Sequence, residues 1–363
     1  DAYLCAGRIE DASDQLLVAL AHAPDNCDAR LLYARCCRKA GDIEEAKEVL
    51  RGLLDDDPAM AEAHFEQGLV AQTERNVDAA LDAYSRTVLY DPGRAAAWTN
   101  LGVIHLNQRG DIATAKECLE RAISIEPASV EANVNLALVM QYADSPGQAV
   151  SHLEHLLQAH PDDANVHWHL ALALLMQRDY ANGWKHHEWR DRILGGVHSR
   201  RFPYAAWRGQ PLAGNRILVY GEQGLGDEIM FASCLPGVVS TAEQCIVECH
   251  ERLAPLMARS FPEAVVYGAN RDGDRSWLAK VEHIDYQSAI GSLPLYLRSS
   301  VNSFPQSGGY LKADPRRVEV WRQRLDAMGA GAKVGISWRG GSVDTQTRLR
   351  SMTIEHLGPV LRG

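Results

Sequence analysis

Two segments of the 363-residue chain bring together residue types that could do chemistry. The first, GEQGLGD at residues 221–227, follows the apolar run RILVY and ends on the carboxylate of Asp227. The second, SWRGGS at residues 337–342, follows KVGI and precedes Arg348 and Arg350. A well-placed carboxylate can remove a proton, and glycine backbone together with arginine forks can hold a phosphate. Both segments are therefore candidate functional sites.

The glycine spacing of the first segment excludes two familiar phosphate loops. Glycines at 221, 224 and 226 give G-x-x-G-x-G, whereas a dinucleotide loop has the pattern G-x-G-x-x-G, and the Lys-Ser/Thr pair of a P-loop does not follow. By spacing alone, a tight turn from strand to helix is the simpler interpretation. The functional interpretation depends on Asp227, with Glu222 and Glu228 beside it.

The elements around both segments alternate between short β-branched runs and helical patterns. Strands are predicted at RILVYGE, QCIVECH, AVVYG, HIDYQSAI and KVGISW, and helices near 227–239, 251–259 and 315–328, with a further one opened by SLPLYL. This order predicts parallel strands with crossover helices in an open, doubly wound α/β sheet. Ligands of such sheets bind at the carboxyl ends of the strands, where both glycine segments lie.

The first half of the chain is a repeat. Prolines at 24, 58, 92, 127 and 161 are spaced by 34, 34, 35 and 34 residues, and each follows an amphipathic helical pattern. Small residues recur on the paired helices, for example Gly68 and Ala80. The pattern resembles the tetratricopeptide repeat and predicts an all-α solenoid over residues 1–190, with the extra residue near 107–111 absorbed in a loop. The concave groove of such a solenoid usually holds an extended peptide or another protein.

Two asparagines occupy equivalent positions on first helices of the repeats, Asn100 in AAWTNLG and Asn135 in EANVNLA. An amide side chain carries a donor and an acceptor, so it can pair with the backbone of a bound peptide. The repeat array of the O-linked N-acetylglucosamine transferases, which this portion resembles, uses asparagines in that way. Glu66 and His169 take the neighbouring equivalent positions, and the alternative is that both asparagines are surface residues without a partner.

Composition and charge narrow the class of protein. Apolar residues make up 46% and charged residues 23%, and no apolar run is long enough to span a membrane. Residues 1–190 contain 16 Lys and Arg against 30 Asp and Glu, a net charge of -14, whereas residues 191–363 contain 21 against 17, a net charge of +4. The cationic second half favours an anionic small ligand, and the dense basic stripe of a nucleic-acid binder is absent from the sequence.

Metal and disulfide chemistry are not expected. His152 with His155, and His186-His187-Glu188, have no third ligand at metal spacing, and Cys245, Cys249 and His250 follow a strand pattern. The eight cysteines lie mostly at apolar positions and favour free thiols in a reducing compartment. A cytoplasmic protein without a metal is therefore predicted.

The order of motifs in the second half carries a second resemblance. W-R-G-Q-P-L-x-G-x-R-I-L-V-Y-G-E-Q-G-L-G-D-E-I-M-F-A, then GSLP at 291–294, then VGISWRGG and RLRSMTIEHLGPVL resemble bacterial tetratricopeptide-repeat proteins with a glycosyltransferase family 9-like domain. Relatives of that domain include the lipopolysaccharide heptosyltransferases. The resemblance implies the GT-B fold, in which two Rossmann-like halves face each other across a cleft.

The resemblance also implies roles for individual residues. Asp227 would deprotonate the acceptor hydroxyl, and the loop that receives the acceptor would comprise Glu222, Gln223, Gly224 and Gly226. The donor-phosphate loop falls on a set of residues in the second glycine segment and just after it: Ser337, Trp338, Arg339, Gly340, Gly341, Arg348, Arg350 and Ser351. The alternative for this set is an ordinary turn with solvated arginines. A nucleotide sugar would be a substrate, and no cofactor or metal is implied.

The domain order that follows is a solenoid at 1–190, a linker at 191–214, an acceptor-side Rossmann-like half at 215–330, and the start of a donor-binding half at 331–363. A complete second half needs on the order of 150 residues, so the sequence is expected to be truncated there. The predicted function is inverting, metal-independent sugar transfer to a Ser or Thr hydroxyl of a protein held by the repeats. The alternatives are a noncatalytic repeat scaffold that binds a protein partner, or a lipopolysaccharide glycosyltransferase.

Overall fold

A computed structural model describes residues 8–193, 202–269, 276–281, 283–305, 308–337, 352 and 354–358. Contacts group the chain up to Ser145 into one compact unit and Pro146–Ile336 into a second.

The first unit is built from pairs of antiparallel helices of similar length. The helices are α1 (Ile9–His22), α2 (Cys27–Ala40), α3 (Ile43–Asp56), α4 (Ala61–Thr73), α5 (Val77–Tyr90), α6 (Ala95–Ile104), α7 (Ile112–Ile125) and α8 (Val130–Tyr142). Glycine allows the helices of a pair to approach closely, since a Cβ at Gly68 would clash with the ring of Tyr84 and one at Gly102 would lie 2.6 Å from Leu119. Both large side chains are fully buried, as the repeat pattern predicts.

The turns within the helix pairs share one backbone conformation. In each, a residue with positive φ lies two positions before the first residue of the next helix, and these residues are Gly41, Arg75, Gly110, Asp144 and Arg178. Asn76 and Asp111 then cap the next helix, because their side chains accept hydrogen bonds from the backbone N–H groups of Ala79 and Thr114.

A second contact recurs between repeats, at the prolines that define the period. The side chain six residues after each of three prolines in this unit bonds to the proline carbonyl: His64 to Pro58 at 3.0 Å, Trp98 to Pro92 at 3.0 Å, and Asn133 to Pro127 at 3.0 Å. Each proline lies in the turn where one helix has ended and the next has not begun, so its carbonyl has no partner within a helix. The side-chain donor pairs that carbonyl.

The extra residue of the 35-residue repeat is absorbed in a helix, and the expectation of a longer loop is wrong. Residues His105–Arg109 continue α6 as a π-helix that ends at Gly110. Within this segment Leu106 is buried, and Asp111 still caps the N-terminus of α7. A wider helical turn keeps both constraints, because it adds one residue without moving the helix ends.

The second unit begins with four helices, of which the first three continue the repeat. They are α9 (Pro146–Ala159), α10 (Ala164–Met176), α11 (Tyr180–His187) and the single turn α12 (Arg190–Ile193). His167 bonds to the carbonyl of Pro161 at 2.9 Å, which repeats the contact of the first unit.

A five-stranded parallel sheet follows, in the order β1-β5-β2-β3-β4. Its strands are β1 (Ala205–Ala206), β2 (Arg216–Tyr220), β3 (Gln244–His250), β4 (Val265–Ala269) and β5 (Tyr286–Ala289). Strand β1 lies within the segment that was predicted as a linker at 191–214. Phe202, Trp207 and Leu212 of the same segment are buried. The described part of this segment therefore belongs to the packed unit.

Short helices connect β2 to β3, namely α13 (Leu225–Phe231) and α14 (Leu235–Val239), and β3 to β4, namely α15 (Ala254–Ser260). Two further helices follow β5: α16 (Leu293–Leu297) and α17 (Pro315–Asp326). The single helix predicted near 227–239 is interrupted by the 3-10 turn Ala232–Cys234. A core of Ile217, Val219, Val247, Phe231 and Leu235 forms between strands and helices. The strand predicted at KVGISW does not form over its described residues 333–337.

Candidate functional site

The GEQGLGD segment lies at the carboxyl end of β2, between the strand and α13. Asp227 is in the first turn of α13, half-buried, and its carboxylate accepts a hydrogen bond of 3.1 Å from the backbone N–H of Gly224. This hydrogen bond fixes the direction of the Asp227 carboxylate. A Cβ placed on Gly226 would meet no atom within 4 Å, so the outer side of this turn is open.

Glu228, next to Asp227, has a structural role. Its side chain is buried and accepts a hydrogen bond of 2.9 Å from the backbone N–H of His250 at the end of β3. A Cβ on Gly221 would lie 2.5 Å from the Glu228 carboxylate. Glycine at position 221 is therefore required by the packing of this carboxylate.

Glu222 was predicted to line the acceptor loop, but its side chain points inward. Its side chain is 2% exposed and pairs with Arg190, at 2.8 Å from Nη2 and 3.2 Å from Nε. It also accepts a hydrogen bond of 3.1 Å from the backbone N–H of Gly291. Glu222 is thus not available to an acceptor. Gln223 is half-buried and Gly224 exposed in the same loop, and these two remain candidates.

Arg190, which the sequence analysis missed, is the residue that holds this loop from the repeat side. Its guanidinium is 2% exposed and also donates to Glu188 at 2.7 Å and to Ser292 Oγ at 2.7 Å. Burial lowers the pKa of Arg190, but the Glu222 and Glu188 carboxylates outweigh it and raise the pKa above its ordinary value. The sequence shows only an arginine in HHEWRDR, after the last repeat helix. Nothing in this local pattern predicts that the arginine is buried against Glu222.

His250 is a second polar residue at the same edge of the sheet. Parallel strands β2 and β3 are adjacent, with Tyr220 opposite Glu248, so His250, the last residue of β3, lies beside the loop that follows β2. Its Nδ1 accepts a hydrogen bond of 3.2 Å from the backbone N–H of Arg252. In the neutral ring the proton is therefore on Nε2. Asp227 and His250 give this edge one carboxylate and one imidazole.

The predicted donor residues lie almost entirely outside the described residues. Ser337 is described and exposed. The structure does not describe Trp338, Arg339, Gly340, Gly341, Arg348, Arg350 and Ser351. Their role in binding a donor phosphate stays a prediction.

The two predicted peptide-binding asparagines are half-buried on first helices of the repeats. Asn135 donates to the carbonyl of Glu131 at 2.9 Å. The side chain of Asn100 is hydrogen-bonded to the hydroxyl of Tyr84. The equivalent Glu66 is buried and pairs with Arg35 at 2.6 Å and Arg38 at 3.1 Å. The row of polar positions is therefore interrupted by an internal ion pair at Glu66.

The histidine-rich end of the repeats forms contacts within the second unit. His167 and His186 approach with their Nδ1 atoms 2.7 Å apart, and Trp189 stacks on His167 at 3.7 Å. Among the described residues, no group of three or more His, Cys, Asp or Glu side chains is arranged to hold a metal ion. Within the same residues, no helix combines the length and the apolar character needed to cross a membrane.

Comparison with protein families identifies the repeats. Three models described as tetratricopeptide repeat match residues 3–72, residues 65–110 with 141–183, and residues 95–129. The chain thus contains tetratricopeptide repeats through most of its first half.

The curated relatives share the repeats, but their names state different functions. Protein FlbA of Caulobacter vibrioides is 29% identical over 297 residues, which is 78% of this chain and 50% of FlbA. A protein of Hordeum vulgare named probable UDP-N-acetylglucosamine–peptide N-acetylglucosaminyltransferase SPINDLY is 29% identical over 41% of this chain and 16% of its own length. Type IV pilus assembly protein PilF of Pseudomonas aeruginosa is 28% identical over 39% of this chain and 56% of PilF. The chain spans between about a sixth and just over half of the length of these relatives.

Two solved structures are similar to part of the chain. A structure of Pseudomonas aeruginosa PilF has a TM-score of 0.42 at 26% identity and covers 46% of this chain and 75% of that chain. The structure of YrrB, a tetratricopeptide-repeat protein with an unusual peptide-binding site, has a TM-score of 0.42 at 14% identity and covers 50% of this chain and 94% of that chain.

Proposed function

We propose that this chain is the acceptor-binding part of a glycosyltransferase that modifies a protein held by the repeats. In this proposal, residues 215–330 are the Rossmann-like acceptor side of a GT-B fold, and residues 331–363 begin the side that binds a nucleotide sugar. The observation that carries the proposal is the position of Asp227, a carboxylate in the first turn of α13, at the carboxyl edge of a parallel sheet. Ligands of open α/β sheets bind at that edge.

The proposed reaction is a direct displacement with inversion at the sugar. The acceptor hydroxyl oxygen forms a bond to the anomeric carbon, its proton passes to the Asp227 carboxylate, and the bond to the nucleotide diphosphate breaks with its electron pair on the phosphate oxygen. The Gly224 N–H holds the carboxylate in place at 3.1 Å. The negative charge that grows on the departing diphosphate would be neutralised by Arg348 or Arg350 and by the backbone of Gly340 and Gly341.

The names of some relatives support this class of activity. The SPINDLY relative is named for transfer of N-acetylglucosamine to peptides, and its similarity to this chain covers 41% of the residues. The match with FlbA covers 78% of the chain and therefore extends past the predicted solenoid at 1–190. Sugar, acceptor and the activity of the whole protein are parts of the proposal.

Intact-mass spectrometry tests the proposal. The protein, extended by any further residues of its natural chain, is incubated with a panel of nucleotide sugars and a cell extract, and proteins that gain one sugar mass are identified. We expect Asp227→Asn to reduce the transfer rate at least 100-fold, the usual range for a general base. Asp163→Asn is the matched control, because Asp163 also caps a helix, accepting from Asn165 and Val166. Equal transfer by wild type and Asp227→Asn would contradict the role of Asp227.

A noncatalytic scaffold is the second candidate, and one observation favours it. The Asp227 carboxylate already pairs with the Gly224 N–H, which is a sufficient structural reason for an aspartate at that position. A scaffold would bind its partner without any gain of mass on that partner. It would also bind equally well with Asp227→Asn, which separates it from the enzyme.

A further inference from the structure

Two arginines of the first unit share one carboxylate. Arg35 and Arg38 lie on α2, and Glu66 lies on α4, the next first helix of the repeats. The Nε of Arg35 donates to Oε1 of Glu66 at 2.6 Å, and the Nε of Arg38 donates to Oε2 at 3.1 Å. One positive charge is therefore not balanced within this cluster.

The cluster is fixed on one side and open on the other. The side chain of Glu66 is 5% exposed, whereas those of Arg35 and Arg38 are 28% and 19% exposed. Within the part of the chain that the structure describes, each arginine bonds to a partner only through its Nε. The Nη groups of both side chains thus keep their donors for a ligand.

The first and second helices of the repeats differ in charge. In the first unit, the second helices of the pairs (α1, α3, α5 and α7) contain 5 Lys and Arg against 12 Asp and Glu. The first helices (α2, α4, α6 and α8) contain 4 of each. Because the first helices line the predicted groove of the solenoid, an anionic group meets less repulsion in the groove than on the second helices.

The other carboxylates of the first helices do not neutralise the cluster. Glu62 pairs with Arg94 at 3.5 Å. Asp28 lies about two helical turns before Arg35, and Glu131 lies on α8, two first helices beyond α4. Both hydrogen bonds of the cluster go to Glu66 alone.

A further group of acidic residues faces another side of α2. These residues line a cavity together with Tyr33 and Ala40, and they are Glu10, Asp14, Asp42, Glu44 and Glu45. By helical spacing, Tyr33 and Ala40 lie on the opposite side of α2 from Arg35 and Arg38. The acidic cavity and the arginine cluster are therefore separate surfaces.

The cluster is close to one of the asparagines predicted to bind a peptide. Burial raises the pKa of the Tyr84 hydroxyl, whereas Arg38 and the hydrogen-bonded side chain of Asn100 lower it. Arg38 and Asn100 thus both lie near the same hydroxyl. A peptide that pairs with Asn100 would extend close to Arg38.

We propose that Arg35 and Arg38 form an anion subsite, which binds the carboxylate of an Asp or Glu side chain in the protein held by the repeats. The carboxylate accepts hydrogen bonds from the Nη groups of the two arginines and balances the excess charge. The inference rests on the part of the proposed function in which the repeats hold a protein. It does not depend on sugar transfer.

Two pools of fluorescently labelled peptides test the proposal. The peptides are about ten residues long, which in extended form spans several helices. Both pools have random neutral residues, with Glu at two central positions in one pool and Gln in the other. Binding to the full chain is followed by fluorescence anisotropy without any nucleotide sugar. We expect the Glu pool to bind about tenfold more tightly than the Gln pool, and the difference to decrease as salt is added.

Arg38→Gln provides the decisive comparison. Glu66 keeps its shorter bond to Arg35 in this variant, so circular dichroism and the unfolding midpoint should change little. We expect the variant to bind both pools as weakly as wild type binds the Gln pool. Arg51→Gln, the same change at an exposed position on the second helix α3, is the matched control and should keep the preference for Glu.

Equal binding of the two pools to wild type, no binding of either, or an unchanged preference in Arg38→Gln would overturn the proposal. Sugar transfer together with equal binding of the pools would contradict this inference alone. A preference for Glu that depends on Arg38, in a protein that transfers no sugar, would support the subsite and contradict only the proposed transfer.

Discussion

At the scale of single residues, Arg190 and Glu222 are the most consequential pair. Both side chains are 2% exposed and they are joined at 2.8 Å. A buried ion pair contributes little net stability when compared with an apolar pair of the same size, but the loss of one partner leaves an uncompensated charge in the interior. The pair therefore acts as a constraint on the loop before Asp227, since the loop cannot move without separating the two charges.

Glu222→Gln should be strongly destabilising. We expect the free energy of unfolding of Pro146–Ile336 to fall by about 3 kcal/mol in urea denaturation, because Arg190 keeps its charge without its main partner. The double substitution Arg190→Met with Glu222→Met should lose less than Glu222→Gln alone. The control is Glu243→Gln, which breaks a more exposed pair with Arg216 at 3.2 Å and should cost less than about 1 kcal/mol. Equal costs at the two positions would contradict the constraint.

The buried imidazole of His187 predicts a dependence of stability on pH. Its pKa is lowered from 6.5 to about 3, mainly by burial and further by the charge of Arg190. The unfolded chain takes up the proton near pH 6.5, whereas the folded chain does so only near pH 3. Stability is therefore complete above pH 6.5 and falls as the pH decreases from 6.5 towards 3, by about 1 kcal/mol per pH unit.

Urea denaturation between pH 7 and pH 4 measures this dependence. His187→Gln should give a smaller slope of unfolding free energy against pH than wild type. His155→Gln, at an exposed position on α9, should keep the slope of wild type. The interpretation fails if His187→Gln leaves the slope unchanged.

The sequence predicts part of the candidate site at this scale. The position of Asp227 follows from local pattern, because an apolar strand, glycines and an acidic residue in the first turn of a helix are adjacent in the chain. The inward position of Glu222 could not be predicted. Its partners Arg190 and Gly291 lie 32 and 69 residues away, and only the fold brings them together.

At the scale of elements, period and residue type together predict the repeats well. The helix pairs, the close approach at Gly68 and Gly102, and the burial of Tyr84 and Leu119 all follow from a spacing of 34 residues. The π-helix at His105–Arg109 does not follow from that spacing. An added residue can enter a loop or a helix, and the choice depends on which side chains must stay buried on either side of it.

Two asparagines on α8 provide an internal comparison. Asn133 is buried and donates to the carbonyls of Pro127 at 3.0 Å and Ser129 at 2.8 Å, so Asn133→Ala should cost 1–3 kcal/mol, about the usual penalty for an unpaired buried group. Asn135 donates to Glu131 within its own helix, and Asn135→Ala should cost less than about 0.5 kcal/mol. Thermal unfolding of both variants checks the difference. Under the proposed function, Asn135→Ala should instead weaken peptide binding.

At the scale of the whole chain, the end of the repeats and the beginning of the sheet unit cannot be separated by sequence pattern. The pattern predicts a solenoid to residue 190, whereas contacts group residues from Pro146 onward with the sheet. Trp184 of α11 donates to the carbonyl of Arg298 at 2.9 Å and packs against Phe231. These contacts join residues far apart in the chain and leave the repeat period unchanged, so the sequence pattern does not reveal them.

Two fragments test where the chain can be divided. A fragment of residues 146–336 should give the dispersed amide spectrum of a folded protein by NMR and a single cooperative unfolding transition. A fragment of residues 191–336 lacks Trp184 and Arg190, leaves Glu222 buried without a cation, and should be unfolded or aggregated. A folded, cooperative 191–336 fragment would contradict this account of the boundary.

The bonds to the four proline carbonyls use three kinds of donor, an imidazole at His64 and His167, an indole at Trp98 and a carboxamide at Asn133. The feature that recurs at this position is a hydrogen bond from a side chain to the proline carbonyl, and different residue types can make it. The position therefore tolerates several residue types, although it forms a recurring contact. A search for copies of this repeat by residue identity would undervalue it, whereas a search for any N–H side chain six residues after a proline would find it.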